Sequence, residues 1–440
     1  MTARRHTYIS LAVYLNSRLV GWLHKAASGA IDFRYDESWL ALEYSFPVSR
    51  SLPLREDRYI GPLVEAVFDN LLPDNLDIRD KMAARTEADG SDTVSLLRAV
   101  GRDCVGAMQF LPEGEEPGQA GSVQGRAINE DEIAGILANL GTTPLGIGEN
   151  REFRISLAGA QEKTALLYWN NEWRIPHGTT ATTHILKPEI GRRDDGLDLS
   201  LSVENEHLCM RLIAMLGLPA ADTRMEMFGD KKTLIVERFD RHWAKDGRLL
   251  RLPQEDCCQA LSVPSARKYK SDGGPGLPDL LDLFMGSDRP EHDRKMIMKA
   301  AIVFWLLAAI DGHAKNFSLF LHPNNGFSLT PFYDVLSLQP NFDAGQLRQR
   351  QLKMAMAVGK NRHYVVNEIM PRHFLQTAAA SSMGESIVRE IFEELLDRGE
   401  AAVSNVGDDL PPDFPEPLLE SVTNGFRRRL RLLEHWRSTS

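Results

Sequence analysis

Ala309-Ile310-Asp311-Gly312-His313-Ala314-Lys315-Asn316, followed after a short interval by Pro331-Phe332-Tyr333-Asp334-Val335, is the stretch from which the rest of the chain can be read. Upstream, Lys295 to Ile310 is almost wholly apolar through Met296, Ile297, Ala300, Ile302, Val303, Trp305, Leu306 and Leu307 and holds neither Gly nor Pro, so it predicts a buried helix. A polar loop therefore hangs from a rigid element. Downstream, residues 317–321 and 327–330 alternate around His322-Pro323-Asn324-Asn325-Gly326, a strand, turn and strand signal. Such a hairpin would carry Asp334 back beside Asn316.

An Asp-x₄-Asn loop with a second aspartate beyond a hairpin is the spacing that supplies phosphoryl transfer with one base and two metal ligands. The reaction needs Mg²⁺ against the phosphates and a carboxylate within reach of the attacking hydroxyl's proton. Hard oxygen ligands suit Mg²⁺, so Asn316 and Asp334 are the expected metal ligands and Asp311 the expected base. A helix-capping Asp311 and a turn-forming Asn316 would explain each residue singly, but not the ordered set.

The 440 residues suffice for two or three domains, and 43% hydrophobic with 25% charged residues is an ordinary globular balance. With 51 basic against 61 acidic residues the net charge is −10 and there is no long basic run, so unaided nucleic-acid binding is not expected. Cys104, Cys209, Cys257 and Cys258 show no zinc-like spacing and read as buried small residues in a reducing compartment. Arg4 and Arg5 precede a short apolar stretch with no small-residue cleavage site, and no apolar run is long enough to span a bilayer. The expectation is a cytoplasmic protein without a membrane segment.

Taken in order, residues 8–15, 19–23 and 30–35 predict a strand meander, 63–72 and 93–100 helices, and 105–111 another strand. Residues 1–112 are thus expected to form an α+β subdomain and the Gly-, Pro- and Glu-rich 113–127 a linker. From Phe153 a strand runs through Ser156 into Ala158-Gly159-Ala160-Gln161-Glu162-Lys163, where small residues would let backbone amides approach phosphate and Lys163 would add charge. An ordinary hairpin turn remains open there. Thr183-His184-Ile185-Leu186-Lys187 ends an apolar strand on a lysine suited to nucleotide phosphates. In a helix over 200–216, Glu206 shares the face of Cys209, points inward, and is a possible partner for Lys187. The strand through Leu234-Ile235-Val236-Glu237-Arg238-Phe239 stands where a hinge would bind adenine, closing a lobe over 128–240. Helical patterns at 280–285, 295–310, 385–396 and 417–436 make 241–440 mostly α. Tyr269-Lys270-Ser271-Asp272-Gly273-Gly274-Pro275-Gly276 is a turn-rich loop with no role assigned.

Together, the strings at 153–163, His184-Ile185-Leu186-Lys187, Val236-Glu237-Arg238-Phe239-Asp240, Asp311-Gly312-His313-Ala314-Lys315-Asn316 and Phe332-Tyr333-Asp334 strongly resemble the HipA family of bacterial serine/threonine-protein kinase toxins. The likeness extends to Phe68-Asp69-Asn70-Leu71-Leu72-Pro73-Asp74 and Gly101-Arg102-Asp103, and so over nearly the whole chain. It implies an α+β, two-lobed protein-kinase-like fold with an extra N-terminal β-rich subdomain and a mostly helical C-terminal lobe. It implies ATP and Mg²⁺, with nucleotide contacts from Ala158 to Lys163, Lys187, Glu237, Arg238, Phe239, His313, Lys315, Asn316 and Tyr333, and inhibitory autophosphorylation on Ser156. Its implied partners are a HipB-like helix-turn-helix antitoxin bound to operator DNA and, as substrate, glutamate–tRNA ligase, whose loss halts translation and favours persistence. Thr377-Ala378-Ala379-Ala380-Ser381-Ser382 lacks the Lys or Arg by which the family touches DNA near this site, so contact is expected mainly through the antitoxin. Small-molecule phosphotransferases share the Asp-x₄-Asn loop and are the alternative.

Overall fold

A computed structural model describes residues 8–146, 155–159 and 161–439. The chain divides into two units, the first made of residues up to Pro188 with Glu226–Ala266 and Leu319–Phe327, the second of Glu189–Met225, Arg267–Ser318 and Ser328–Ser440.

In the first unit the alternating N-terminal segments form an antiparallel sheet in the order Tyr59–Ile60, Ile31–Tyr35, Arg18–Lys25, Ile9–Leu15, Met108–Pro112. The first hairpin turns on Asn16 (φ 44°) and Ser17 (φ 65°), two left-handed residues whose twist matches that of the flanking strands. Leu11, Val13 and Leu15 face the core and meet the helices Pro62–Asp69 and Thr93–Val100. Phe68 sits between Phe33 and Phe110, with centroids 5.5 and 5.6 Å away. The last strand begins at Met108 rather than near Val105, because Gly106 (φ 74°) makes a left-handed turn whose N–H donates to the Asp240 carboxylate at 2.7 Å. A helix at Leu76–Thr86, capped by the Asn75 side chain, was not expected; its apolar residues are too few to mark a face.

A second sheet runs in the order Thr223–Phe228, Lys231–Glu237, His184–Pro188, Thr164–Trp169, Glu172–Pro176, Gly125–Ala127. Its edge strand, Gly125–Ala127, lies at the end of the Gly- and Pro-rich stretch and leads into the helix Glu130–Ala138, closed by a reciprocal Asn129–Glu132 capping box. One apolar core, continuous from Ile9 to Ile235, joins both sheets.

The second unit is mostly helical, with helices Ser202–Met215, Leu277–Leu283, Pro290–Leu307, Pro371–Ala380, Glu385–Asn405 and Glu416–Thr439, of which all but Pro371–Ala380 overlap a helical pattern in the sequence. Pro290–Leu307 is its axis, buried on all sides from Ile297 onward. Lys299 reaches Glu394 at 2.8 Å, and Arg429 donates to the Leu306 carbonyl at 2.9 Å. The helix ends three residues earlier than its apolar run, at Leu307, because Ala308 takes a left-handed conformation (φ 51°) and its N–H and that of Ala309 turn back to Trp305 and Phe304. The chain thereby leaves the core at Asp311. Among the described residues no helix is long and apolar enough to cross a membrane.

Candidate active site

In the second unit, the residues after Ala308 form a tight series of turns: the His313 N–H donates to the Asp311 carbonyl at 2.8 Å and the Asn316 N–H to that of His313 at 2.9 Å. Gly312 lies directly over Phe304, where a Cβ would come within 2.7 Å of the ring, so only glycine lets the loop lie this close to the core. Phe304, Phe317 and Phe332 form a mutually packed aromatic floor, their centroids 5.7 to 6.2 Å apart.

The two strands of the predicted hairpin are Ser318–Leu321 and Phe327–Leu329. On its return, Thr330 donates to the Ser318 carbonyl at 3.1 Å, and Phe332 forms a parallel bridge with Ala220, accepting from the Ala221 N–H at 2.9 Å and donating to the Pro219 carbonyl at 2.8 Å. The Tyr333 hydroxyl then donates to the Lys315 carbonyl at 2.8 Å and stands 2.6 Å from Ser318 Oγ, which ties the returning chain to the Asp311–Asn316 loop. Asp334 is left-handed (φ 60°), a conformation that among L residues Asp and Asn tolerate best. His313, Lys315 and Asn316 are buried, while Asp311 and Asp334 are open to solvent.

Although solvent-accessible, Asp311 is closely surrounded by protein. That burial raises its pKa; the hydrogen bond from Tyr269, 2.8 Å from Asp311 Oδ1, opposes the rise, Asp334 adds to it by like charge, and Lys268 and Arg193 oppose it. Asp311 and Asp334 are thus both exposed and close enough for their charges to interact, while Asn316 is buried in the turn that follows Asp311. Two carboxylates and an amide oxygen, with repulsion between the carboxylates, fit a hard divalent cation. Among the described residues no cluster of three or more His, Cys, Asp or Glu offers another metal site. Tyr269, Lys268 and Arg193 were missed by the sequence reading, and no local spacing could have found them.

In the first unit Ser156 is fully buried: its N–H donates to the Asp103 carbonyl at 2.9 Å and its Oγ to the Leu71 carbonyl at 2.7 Å. Ile155 and Gly159 make single bridges to Asp103 and Pro73, so this described part is extended without belonging to a sheet. Gly159 (φ 106°) leaves room for the Lys163 ammonium, which donates to the Ala158 carbonyl at 2.8 Å; a Cβ there would be 2.6 Å from Lys163 Nζ. Gln161 donates to the Pro188 carbonyl at 3.2 Å and Glu162 is exposed. Phe153, Arg154 and Ala160, also part of the expected loop, lie outside the described residues. Pairing of Thr164 with Leu186 puts the end of this loop beside buried Lys187, so the two lysines approach one another along the sheet.

Glu237 pairs with His184 and is exposed, whereas Arg238, the next residue along the strand, turns inward. Its guanidinium donates to Asp240, Thr182 and the Cys104 carbonyl, each within 3.0 Å. The expectation that Arg238 serves a nucleotide is corrected for its side chain, which is committed to the interior. Phe239 meets Phe320 edge to face at 6.0 Å. Asp240, Arg241, Arg251 and Asp103 complete a cluster in which Arg241 and Arg251 both reach Asp103 within 3.0 Å. In the second unit Glu206 is buried on its helix, as its position among apolar residues predicts.

Residues 155–403 match the HipA-like C-terminal domain and residues 11–111 the HipA N-terminal domain. The chain is 36% identical over 403 residues to Y4mE of Sinorhizobium fredii, covering 91% of this chain and 92% of that one. It is 30% identical over 362 residues to the serine/threonine-protein kinase toxin HipA of Shewanella oneidensis, covering 79% and 78%. Among solved structures it resembles a chain of the Shewanella oneidensis complex of HipA, HipB and operator DNA, with a TM-score of 0.79, 26% identity and 97% of both chains covered.

Proposed function

The chain belongs to the HipA family and has its fold, and from that premise we propose that it is an ATP-dependent serine/threonine-protein kinase toxin. The observation that carries this reading is the Asp311 carboxylate, solvent-accessible, raised in pKa and set against the like charge of Asp334 above the Asn316 turn. Asp311 accepts the proton of the attacking protein hydroxyl. Asn316 and Asp334 hold Mg²⁺, which neutralises phosphate charge when bound. Lys163 and Lys187 bind the nucleotide's phosphates, with backbone amides of the 158–163 segment; the backbone at Glu237 and Phe239 takes the adenine, and His313, Lys315 and Tyr333 line the nucleotide. Glu206 orients Lys187.

Ser156 is the self-modification site. A phosphate adds about −1.5 to −2 charges to a hydroxyl that has no room for it, so the modified segment cannot keep its present seat. The related complex supports a HipB-like antitoxin as partner, with operator DNA held mainly through it. Glutamate–tRNA ligase is the first substrate to test, and the cytoplasm the compartment.

The test is incubation of the purified chain with labelled ATP and Mg²⁺, alone and with candidate acceptors. Label on Ser156 and on a protein acceptor, absent with Asp311→Asn, is the expected result. Label confined to a small molecule would replace the reading with the small-molecule phosphotransferase. Expression without antitoxin should arrest growth and Asp311→Asn should relieve the arrest; arrest by the inactive variant would reject a catalytic toxin.

A further inference from the structure

The loop from Arg267 to Gly276 carries no role in the reading above, yet its first turn reaches the base. The Tyr269 hydroxyl donates to Asp311 Oδ1 at 2.8 Å. The ring is fixed from the side by His313, edge to face at 4.9 Å, and Lys268 Nζ stands 5.3 Å from its centroid. The backbone holding it is closed on itself: Asp272 and Gly274 both donate to the Tyr269 carbonyl, at 3.1 and 3.0 Å, and Gly273, left-handed at φ 85°, donates to that of Lys270. Gly274 admits no side chain, since a Cβ would lie 1.9 Å from the Arg267 carbonyl oxygen. At the far end Asp279 accepts from the Gly276 N–H at 2.7 Å and meets Lys270 at 3.2 Å. The phenol is therefore placed by the loop before any substrate arrives.

We propose that Tyr269 is a positioning residue for phosphoryl transfer, fixing the Asp311 carboxylate by one oxygen so that the other faces the attacking hydroxyl. The proposal rests on the reading of Asp311 as the base. A carboxylate has two oxygens, each able to accept more than one hydrogen bond, so the contact at Oδ1 leaves Oδ2 available. Without the phenol, Asp311 rotates about its side-chain torsions, and misplacing a catalytic group by about 1 Å is enough to lower the rate, while the nucleotide's own contacts are left as they were. This also explains why so tight a loop stands beside the base: glycines at 273 and 274 set the height of the Tyr269 ring.

The experiment compares wild type, Tyr269→Phe, Gly274→Ala and Asp311→Asn, with Tyr269→Phe also made in the Asp311→Asn background. Tyr269→Phe keeps the ring against His313 and should lower kcat on the order of tenfold, the size expected for one hydrogen bond to a charged group, with KM for ATP and thermal midpoint unchanged. Gly274→Ala, which moves the loop without touching the phenol, should give the same kcat loss at unchanged ATP affinity. In the Asp311→Asn background Tyr269→Phe should cost nothing further, because its effect passes through that carboxylate. Activity of Tyr269→Phe within twofold of wild type would overturn the role, and so would a gain in activity, which would make the phenol a competitor for the acceptor's seat. Phosphate found on Tyr269 by mass spectrometry would make it an acceptor instead. Equal losses in both backgrounds would place its effect elsewhere than on Asp311. A wild type that transfers no phosphate, or an Asp311→Asn as active as wild type, refutes the base itself and is told apart by those two controls alone.

Discussion

The Asp103 cluster and the Asp311 cluster are both polar and both closely surrounded by protein, but their charges are arranged in opposite ways. Burial by itself would raise the Asp103 carboxyl; Arg241, Arg251 and Arg238 together hold it well below the usual carboxylate range. Asp240 is likewise lowered, against its burial, by Arg238 and Arg241. The guanidiniums also donate to the carbonyls of Cys104, Gly106, Thr179 and Thr182, so segments distant in sequence are fastened at one point. At Asp311 burial prevails, and the neighbouring Asp334 adds to its effect. A cluster in which arginines outweigh burial holds its carboxylates charged within the fold; one that sets Asp334 beside Asp311 suits the cation required by the proposed chemistry.

The comparison breaks most visibly under deletion of one charge. Asp103→Ala leaves the buried guanidiniums of Arg238 and Arg241 sharing Asp240, with Arg251 losing its carboxylate, and should cost about 3–5 kcal/mol, read as a lower midpoint in chemical denaturation. Stability near that of wild type would show that water reaches the cluster. Asp311→Asn should do the reverse, losing roughly 10²- to 10⁴-fold in transfer rate while folding stability is kept or rises. Asp334→Asn, chosen because Asn tolerates the left-handed backbone, should weaken Mg²⁺-dependent ATP binding in calorimetry, and unchanged binding would remove Asp334 from the metal.

Glu255 sharpens the contrast, since it is a buried carboxyl that, among the described residues, has no arginine pair of the Asp103 kind. Burial pushes it from 4.5 up to about 8; the Arg50 N–H, 2.8 Å from its Oε1, only partly offsets this. With the folded value above the unfolded one, its contribution to stability is complete below about pH 4.5 and is lost as pH rises through about 8. Glu255→Gln should flatten that loss, so thermal midpoints of variant and wild type should diverge as pH rises from about 4.5 to about 8. Parallel curves would mean that Glu255 is ionised in the folded protein. The smallest effect is expected at Ala308, where Gly would relieve the left-handed cap and gain up to about 1 kcal/mol; a loss would show that the entry to the Asp311 loop is not strained.

What could be read beforehand was local. The meander at 9–35 follows from alternation, and the Asp311 loop, hairpin and Asp334 lie within one short run of chain, so spacing suffices to place them. The end of the long helix was misread because Ala308 does what Gly commonly does, and an apolar run gives no warning of that. The helix Pro371–Ala380 was not expected, since in that region only Thr377 to Ser382 stands out in the sequence, for its lack of basic residues. The arginine cluster unites Asp103 with residues more than a hundred positions away, and Arg238 looked like part of a hinge because a strand's charge does not say which face it takes. Tyr269 is 42 residues from Asp311, and its loop reads only as turns.

The seat of Ser156 has a consequence for timing. Its hydroxyl and its amide are both engaged in the interior, at Leu71 and Asp103, so no acceptor site can use that oxygen until both bonds have parted. Under the modification of Ser156 proposed above, hydrogen exchange at its amide reports the opening that releases this segment, and that opening rate would set a ceiling on how fast phosphate accumulates there. The fraction of molecules carrying the mark would record how long the chain has been exposed to ATP, as a slow clock rather than an instantaneous reading of catalytic strength.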